Sequence, residues 1–203
     1  ADSSVTASSD QVHSDDIAII GLAAKIPGAE NLDAFYESLL CGECLVGELP
    51  KWRKDFLTRY YKFTGQEMPE LPFVESTYLD DIDAFDFEYF NISPREAALM
   101  DPHQRIYLEL AVEAIEDAGY STDTMKKSKT GVFLGFGTNI KDMYMRMLAD
   151  VSSENIADAI VGNAQCVLAG RIAHYLDLKG ASMVIDTACS SSVTALNTAI
   201  QYI

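Results

Sequence analysis

Three short apolar segments, separated by stretches with helical spacing, constrain the fold of this chain most strongly. They are residues 17–22, 130–136 and 183–186. Continuous apolar runs of this length are typical of strands buried on both faces, and no hairpin signal such as Asn-Gly lies between them. The sequence therefore predicts an α/β layered fold in which helices flank a parallel or mixed central sheet.

Helix signals fill much of the chain between these segments. Ser93 and Asp101 each precede a proline, and a capping residue followed by proline is a common helix start. Gly119 stands where a left-handed C-terminal cap would end the second of these helices. Helices are predicted over residues 32–40, from 94, from 102 to 118, over 155–176 and over 190–202.

Two parts of the chain lack regular patterns. Residues 1–14 are rich in Ser, Asp and Ala, which predicts a flexible linker or tail before a folded part that spans residues 15–203. Residues 48–75 mix proline, aromatic and charged side chains without a clear period. They are interpreted as a long surface excursion.

Charge limits the partners of the chain. Lys and Arg number 15 and Asp and Glu number 31, so the formal net charge is −16, which argues against nucleic acid or an anionic membrane as a partner. No apolar run reaches the length of a membrane span, and the polar start lacks the apolar core of a signal peptide. We expect a cytoplasmic protein whose four cysteines are reduced.

Cys189 is the candidate for chemistry. It lies on a tight turn between the strand predicted over residues 183–186 and the helix predicted over residues 190–202. The positive end of a helix dipole favours a thiolate, and the small neighbours Ala188 and Ser190 leave room for a substrate and for backbone amides facing an oxyanion. On geometry alone, a nucleophile and a small buried cysteine are about equally compatible with this position.

The residue sequence of this motif resembles that of a known family. Residues 186–192 (DTACSSS) resemble the active-site signature of polyketide synthase ketosynthases, which belong to the thiolase-like condensing-enzyme superfamily. Further blocks that resemble this family follow in the right order at residues 16–21, 26–29, 90–97, 100–105, 162–163, 169–172 and 176–180. The resemblance implies the N-terminal half of a thiolase-like fold.

The resemblance also implies an activity. An acyl carrier protein would deliver an acyl group on its phosphopantetheine to Cys189, and malonyl on a second carrier would lose carbon dioxide and attack the thioester. No cofactor would be bound directly. Two family histidines that assist this decarboxylative Claisen condensation lie C-terminal to the cysteine, and only 14 residues follow Cys189 here. We therefore expect a domain that is incomplete after the nucleophile, and a homodimer in which residues 163–166 approach the partner's active site.

Two other functions stay open at this point. A non-elongating ketosynthase-like module would pass the acyl chain on, or bind the carrier, without extending it. A separately encoded half would act as an interaction subunit that assembles with a C-terminal partner chain.

Weaker signals are set aside. None of His13, His103 and His174 matches a family catalytic histidine by motif. Cys41 and Cys44 have the spacing of a redox or zinc pair, but they follow a helix whose negative end disfavours thiolates, and no second pair exists.

Glycines and basic residues also have structural explanations. Gly131, Gly135 and Gly137 fit no phosphate-binding pattern and are interpreted as close-packing glycines. The basic clusters at residues 51–54 and 126–129 are interpreted as solvated faces, although either would suit an acidic carrier protein.

Overall fold

The computed structural model describes residues 16–68, 75–137 and 143–203. The predicted tail over residues 1–14 lies outside this described part. Within it, the chain forms nine α-helices and two β-strands. In chain order these are α1 (Leu32–Cys41), α2 (Lys51–Thr64), α3 (Pro94–Leu99), α4 (Pro102–Asp117), α5 (Thr122–Met125), β1 (Val132–Gly135), α6 (Met143–Val151), α7 (Ile156–Asn163), α8 (Val167–Tyr175), β2 (Ser182–Ile185) and α9 (Ser191–Gln201), with a short 3₁₀ turn at Ser153–Asn155 before α7.

The two strands form the centre of the molecule. β1 and β2 are parallel, with Val132 opposite Ser182 and Gly135 opposite Ile185. A further hydrogen bond of 3.0 Å from the Phe136 N–H to the Ile185 carbonyl continues the pairing beyond β1. Because parallel strands end at the same edge of a sheet, the segments that follow β1 and β2 leave from one side. The predicted α/β layering is confirmed.

Helices cover both faces of this sheet. Val132 and Leu134 pack against the core formed with α4 and α8, whereas the Phe133 ring contacts the Tyr202 ring just after α9 at 5.2 Å. Gly135, on the same face as Phe133, lies directly beneath the first turn of α9. Since side chains alternate along a strand, the sheet separates an α4–α8 layer from an α9 layer.

The main hydrophobic core lies in the α4–α8 layer. Met100, Leu108 and Leu176 are essentially inaccessible to solvent. Phe90 stacks on Phe85 with ring centroids 5.1 Å apart and closes one end of the cluster. The buried residues of this core are Phe90, Met100, Leu108, Val112, Ile172 and Leu176. Burial of these large side chains joins the segment before α3 to the helices on the sheet.

The helix starts predicted from capping residues are confirmed. Ser93 Oγ accepts a hydrogen bond from the Glu96 N–H at the start of α3. The side chain of Asp101 accepts one from the His103 N–H at 2.8 Å at the start of α4. Gly119, with φ of 79°, adopts the left-handed conformation after α4. Side-chain capping satisfies N–H groups that the helix itself leaves free.

The strand predicted over residues 17–22 is wrong for the described structure. Ile19 and Ile20 are 79% and 64% exposed, and the segment runs beside the end of α4, where the Leu22 N–H donates to Asp117 at 2.8 Å. An apolar run becomes a strand only when a neighbouring backbone pairs with it. In the described part of the chain, β1 and β2 pair only with each other.

The irregular excursion predicted over residues 48–75 is also corrected, because α2 occupies most of its described part. The helical period is hard to recognise because both faces of α2 mix apolar and charged side chains. Arg53 faces inward, whereas Phe56 and Phe63 are 45% and 68% exposed. Gly65, with φ of 70°, ends the helix. The sequence interpretation also did not include α5 or α6.

We predict that Gly135→Ala destabilises the protein, whereas Gly137→Ala does not. A Cβ atom on Gly135 would lie 2.5 Å from the Ser191 and Ser192 backbones, while one on Gly137 would meet no described residue within 4 Å. The close-packing interpretation is therefore confirmed for Gly135 and is wrong for Gly137 within the described structure. Overpacking against backbone costs about 1–3 kcal/mol, so urea unfolding followed by circular dichroism should show that loss for Gly135→Ala alone. Equal unfolding midpoints for the two variants would contradict this close contact.

Candidate active site

The turn that carries Cys189 joins the end of β2 to the start of α9. Ala188 has φ of 55°, a left-handed conformation that is uncommon for a residue other than glycine. The Ala188 N–H donates to the Asp186 side chain at 3.1 Å, which supports this conformation locally. Cys189 therefore follows a sharp reversal of the backbone and precedes the first turn of α9.

Ser191 holds the turn from inside. Only 5% of the Ser191 surface is exposed to solvent. Its Oγ accepts a hydrogen bond from the Thr187 N–H at 2.9 Å and donates one to the Ala188 carbonyl at 2.7 Å. A buried hydroxyl that bonds backbone groups on both sides of a reversal fixes the path of that reversal.

A second pair of hydroxyls secures the outer side of the turn. Ser190 Oγ donates to the Thr187 carbonyl at 2.8 Å and also to the Thr187 hydroxyl. Thr194 Oγ1 lies 3.1 Å from the Thr187 hydroxyl and donates to the Ser190 carbonyl. The first turn of α9 and the segment before Cys189 are thus held together by side chains that flank the cysteine without covering it.

Cys189 itself is exposed and unbonded to another cysteine. Within the described part of the chain, its backbone N–H has no hydrogen-bond acceptor. An accessible thiol at a helix start can act as a nucleophile, and a free N–H next to it can donate to an oxyanion. The alternative in which Cys189 is a small buried residue is therefore wrong.

Exposure alone does not single out Cys189, because Cys41, Cys44 and Cys166 are exposed as well. Cys41 ends α1, and Cys44 lies in the loop after it. Cys166 stands at the start of α8 but is followed by no turn stabilised by hydroxyls. The described residues contain no group of three or more His, Cys, Asp or Glu side chains that could hold a metal ion.

The histidines lie elsewhere. His103 is exposed, with its Nδ1 atom 2.7 Å from Asp101 and its ring edge against Phe136. His174 is exposed in the last turn of α8, and His13 lies outside the described residues. The structure gives His103 a partner in the helix cap.

Asp101 is affected by this pairing. Burial raises the pKa of its carboxyl, but hydrogen bonds from the ring and the N–H of His103 outweigh burial and bring the pKa below its usual value. The cap is therefore charged at neutral pH. Since a lowered folded-state pKa stabilises the ionised form, this contribution is lost as the pH falls through that lowered value.

Residues 163–166 reach the same edge of the sheet as the cysteine turn. Asn163 donates to the carbonyls of Leu99 and Ala159, both at 2.7 Å, which fixes the end of α7. A cavity of about 70 Å³ there is lined by Asn163, Gln165 and Phe136, among others. Phe136 follows β1 as Asp186 follows β2, so this cavity and Cys189 both lie at the carboxyl ends of the strands.

Comparison with known proteins identifies the family. The family model described as "Beta-ketoacyl synthase, N-terminal domain" matches residues 14–203. The chain belongs to this family. Among curated relatives, the 6-methylsalicylic acid synthase of Penicillium terrestre is 39% identical over 190 residues, covering 93% of this chain and 10% of the relative. Polyketide synthase PksL of Bacillus subtilis is 38% identical over 197 residues, covering 93% of this chain and 4% of the relative.

Solved structures agree. The ketosynthase from module 6 of the bacillaene synthase of Bacillus subtilis matches with a TM-score of 0.70 at 34% identity, covering 91% of this chain and 28% of that one. Ketosynthase twelve of the bacillaene synthase of Bacillus amyloliquefaciens matches with a TM-score of 0.70 at 29% identity, covering 91% and 30%. The thiolase-like fold and the polyketide synthase ketosynthase family are confirmed. The chain spans about a tenth or less of the length of these curated relatives.

Among the described residues, no helix is both long and apolar enough to cross a membrane. The cytoplasmic location stays a prediction.

Two residues support the candidate nucleophile, and sequence reasoning anticipated only one of them, because Gly135 was interpreted as a close-packing glycine whereas Ser191 was not singled out. Gly135 lets the start of α9 approach the sheet, and Ser191 fixes the turn. Both residues lie in segments that were predicted as a strand and a helix, but the partners in these contacts were not predicted. The three consecutive serines offered a signal only in hindsight, because the sequence does not show which hydroxyl turns inward.

We predict that Ser191→Ala weakens the turn, whereas Ser192→Ala does not. The first change leaves the Thr187 N–H without its acceptor in a partly buried place, which costs about 1–3 kcal/mol. Ser192 is exposed and serves as the matched control. Hydrogen exchange at the Thr187 amide should accelerate by tenfold or more in Ser191→Ala, at about 1.4 kcal/mol per factor of ten, and unchanged protection in both variants would contradict the assignment.

Proposed function

We propose that this chain supplies the nucleophile of a polyketide synthase ketosynthase, in which Cys189 carries the acyl chain as a thioester. The observation that carries this proposal is the exposed thiol of Cys189 on a braced turn at the start of α9, in a chain that belongs to the β-ketoacyl synthase family. The thiolate attacks the carbonyl carbon of an acyl thioester on the phosphopantetheine arm of a carrier protein. The phosphopantetheine thiolate leaves and takes up a proton, and the acyl group stays on Cys189.

The Cys189 N–H is the proposed donor to the oxyanion in this step. It lacks another acceptor within the described residues, so it can bond the oxygen without breaking an existing contact. Preorganised donors of this kind stabilise developing negative charge because they need little reorganisation. The hydrogen bonds of Ser191 hold the turn, so the distance and orientation of this N–H relative to the sulfur stay constant.

Condensation follows transfer. Malonyl on a carrier loses carbon dioxide, the resulting carbanion attacks the Cys189 thioester, and the β-ketoacyl product leaves on the carrier while the cysteine thiolate is restored. The family resemblance assigns decarboxylation to two histidines C-terminal to the cysteine. His103 and His174 are not assigned this role, because His103 pairs with Asp101 and His174 lies on an exposed turn of α8.

The proposed partners follow from this chemistry. An acyl carrier protein brings both substrates, and the remainder of the ketosynthase completes the site.

A homodimer is proposed as well, with residues 163–166 directed toward the partner's site, because the end of α7 and the cysteine turn share one edge of the sheet. Light scattering should give twice the mass of the protomer, and a stable monomer at micromolar concentration would contradict the dimer.

Acylation should depend on Cys189 and on no other cysteine. We expect Cys189→Ala to abolish the mass increase on incubation with an acyl thioester, measured by intact mass and peptide mapping of the full-length protein. Cys166→Ala is the matched control, because Cys166 is also an exposed cysteine at a helix start. Persistent labelling of Cys189→Ala at the parent level would remove the nucleophile assignment.

Elongation should follow acylation. With malonyl carrier protein added, we expect the full-length protein to form a β-ketoacyl carrier, detected by mass spectrometry, and His103→Gln and His174→Gln to retain this activity within about threefold. The reason is that these histidines occupy structural or surface positions. Acyl transfer without a β-ketoacyl product would instead indicate the non-elongating type of module.

A further inference from the structure

Helix α2 has two sharply different faces. Its half-buried positions recur at helical spacing and form the inner face: Arg53, Lys54, Leu57, Tyr60, Tyr61 and Thr64. The remaining positions are exposed and cover the opposite side of the helix. What distinguishes α2 from an ordinary surface helix is the chemistry of that exposed side.

One strip of the exposed face is basic. Lys51, Arg59 and Lys62 are exposed, and none of them forms an ion pair within the described residues. At 100° per residue they fall within one third of the helix circumference, where the only acid is Asp55. The helix carries five basic residues and one acidic residue, in a chain whose net charge is −16. Positive charge is thus concentrated on α2, whereas the rest of the protein is acidic.

An aromatic strip runs beside the basic one. Trp52, Phe56 and Phe63 are 37%, 45% and 68% exposed. They follow one another at helical spacing, four and seven residues apart, so they form one ridge. A ridge of exposed aromatic side chains next to cations that have no ion pair in the described part of the chain has the composition of a protein-binding surface, in which aromatic contacts give affinity and charges give orientation.

The inner face holds this surface in a fixed position. The Arg53 guanidinium donates to the Leu79 carbonyl and lies over the rings of Trp52 and Tyr78 at 5.2 and 5.6 Å. Tyr60, farther along α2, donates to Asp150 of α6. This hydrogen bond raises the pKa of Tyr60 to about 12, so the hydroxyl stays protonated and able to donate well above physiological pH. A helix held by two side chains of its inner face presents its outer face without reorganising.

The other basic cluster is placed differently. Residues 126–129 precede β1, and Lys179, which lies beside them through its N–H bond to the Ser128 carbonyl, precedes β2. The cluster therefore lies at the amino ends of the strands, at the edge opposite Cys189. Two of its lysines are already paired, Lys126 with Asp123 and Lys179 with Asp177.

Helix α2 is connected to the other edge of the sheet. It is joined to α6 through Tyr60 and Asp150, and α6 is the helix that follows the carboxyl end of β1. The carboxyl ends of the strands are where Cys189 lies. Of the two basic clusters in the sequence, α2 is thus the one connected to the edge of the sheet that carries the nucleophile.

We propose that the outer face of α2, with Arg59 and Lys62 beside Phe56 and Phe63, is the docking surface for the acidic carrier protein that brings the acyl thioester to Cys189. This inference rests on the proposed function, because it assigns a place on the chain to the carrier required there. Acidic side chains of the carrier pair with the basic strip, and apolar side chains of the carrier pack on the aromatic ridge.

The test compares two double charge reversals in the full-length protein. Arg59→Glu with Lys62→Glu removes the basic strip of α2, and Lys127→Glu with Lys129→Glu is the control, since these lysines are also exposed and without ion pairs in the described part of the chain. Both variants change the net charge equally. Acylation of Cys189 is measured with an acyl carrier protein and, separately, with a small soluble acyl thioester that needs no docking surface.

We expect the α2 reversal to raise KM for the acyl carrier about tenfold or more, and the control reversal to change it less than about threefold. Raising salt should weaken carrier binding to the parent and to the control but much less to the α2 variant. Phe56→Ala with Phe63→Ala should raise KM in the same direction without altering the salt dependence. All variants should react with the small thioester at the parent rate.

Equal KM values for the two charge reversals would overturn the docking surface. So would a change of oligomeric state in the α2 variant with carrier kinetics unchanged, because the face would then be a contact between copies of the chain. If the parent fails to react at Cys189 even with the small thioester, the proposed function itself is wrong. Should the α2 reversal unfold the helix by circular dichroism, Arg59→Gln with Lys62→Gln must give the intermediate rise in KM.

Discussion

The close approach of α9 to the β1–β2 sheet is the contact on which the rest of the site depends. Gly135 has no side chain, so the backbone of Ser191 and Ser192 can lie where a Cβ atom would be. This contact, together with the parallel pairing of β1 and β2, brings the start of α9 to the carboxyl edge of the sheet. The cysteine is presented there because the chain must reverse sharply to enter a helix that lies so close.

Hydrogen bonds then preserve the shape that this contact imposes. Ser191, Ser190 and Thr194 use their hydroxyls to tie the residues before Cys189 to the first turn of α9. The left-handed conformation of Ala188 is retained because the neighbouring bonds hold it. The cysteine needs no bond of its own in this arrangement, so both its sulfur and its N–H stay available to a substrate.

Helix α2 shows a similar division between an anchored side and a free side. Arg53 and Tyr60 attach it to the protein, while its aromatic and basic side chains point away. This division explains why the helix was not recognised from the sequence. A hydrophobic period assumes that all apolar residues face inward. Here the Arg53 guanidinium, which lies over two aromatic rings, shares the inner face with Leu57, whereas Phe56 is exposed.

The sequence by itself determined the elements whose signals are local. Ser93 and Asp101 cap their helices through neighbours only two or three residues away, and the run of residues 186–192 indicated the family to which the chain belongs. The tertiary structure alone decided contacts between distant residues. It showed that residues 17–22 lie beside α4 instead of pairing as a strand, and that Ser191 is the serine that turns inward. It also showed that the two basic clusters are connected to opposite edges of the sheet. The physical reason is that strand pairing, burial and the position of a charge depend on neighbours supplied by remote parts of the chain, whereas a helix cap depends on the residues next to it.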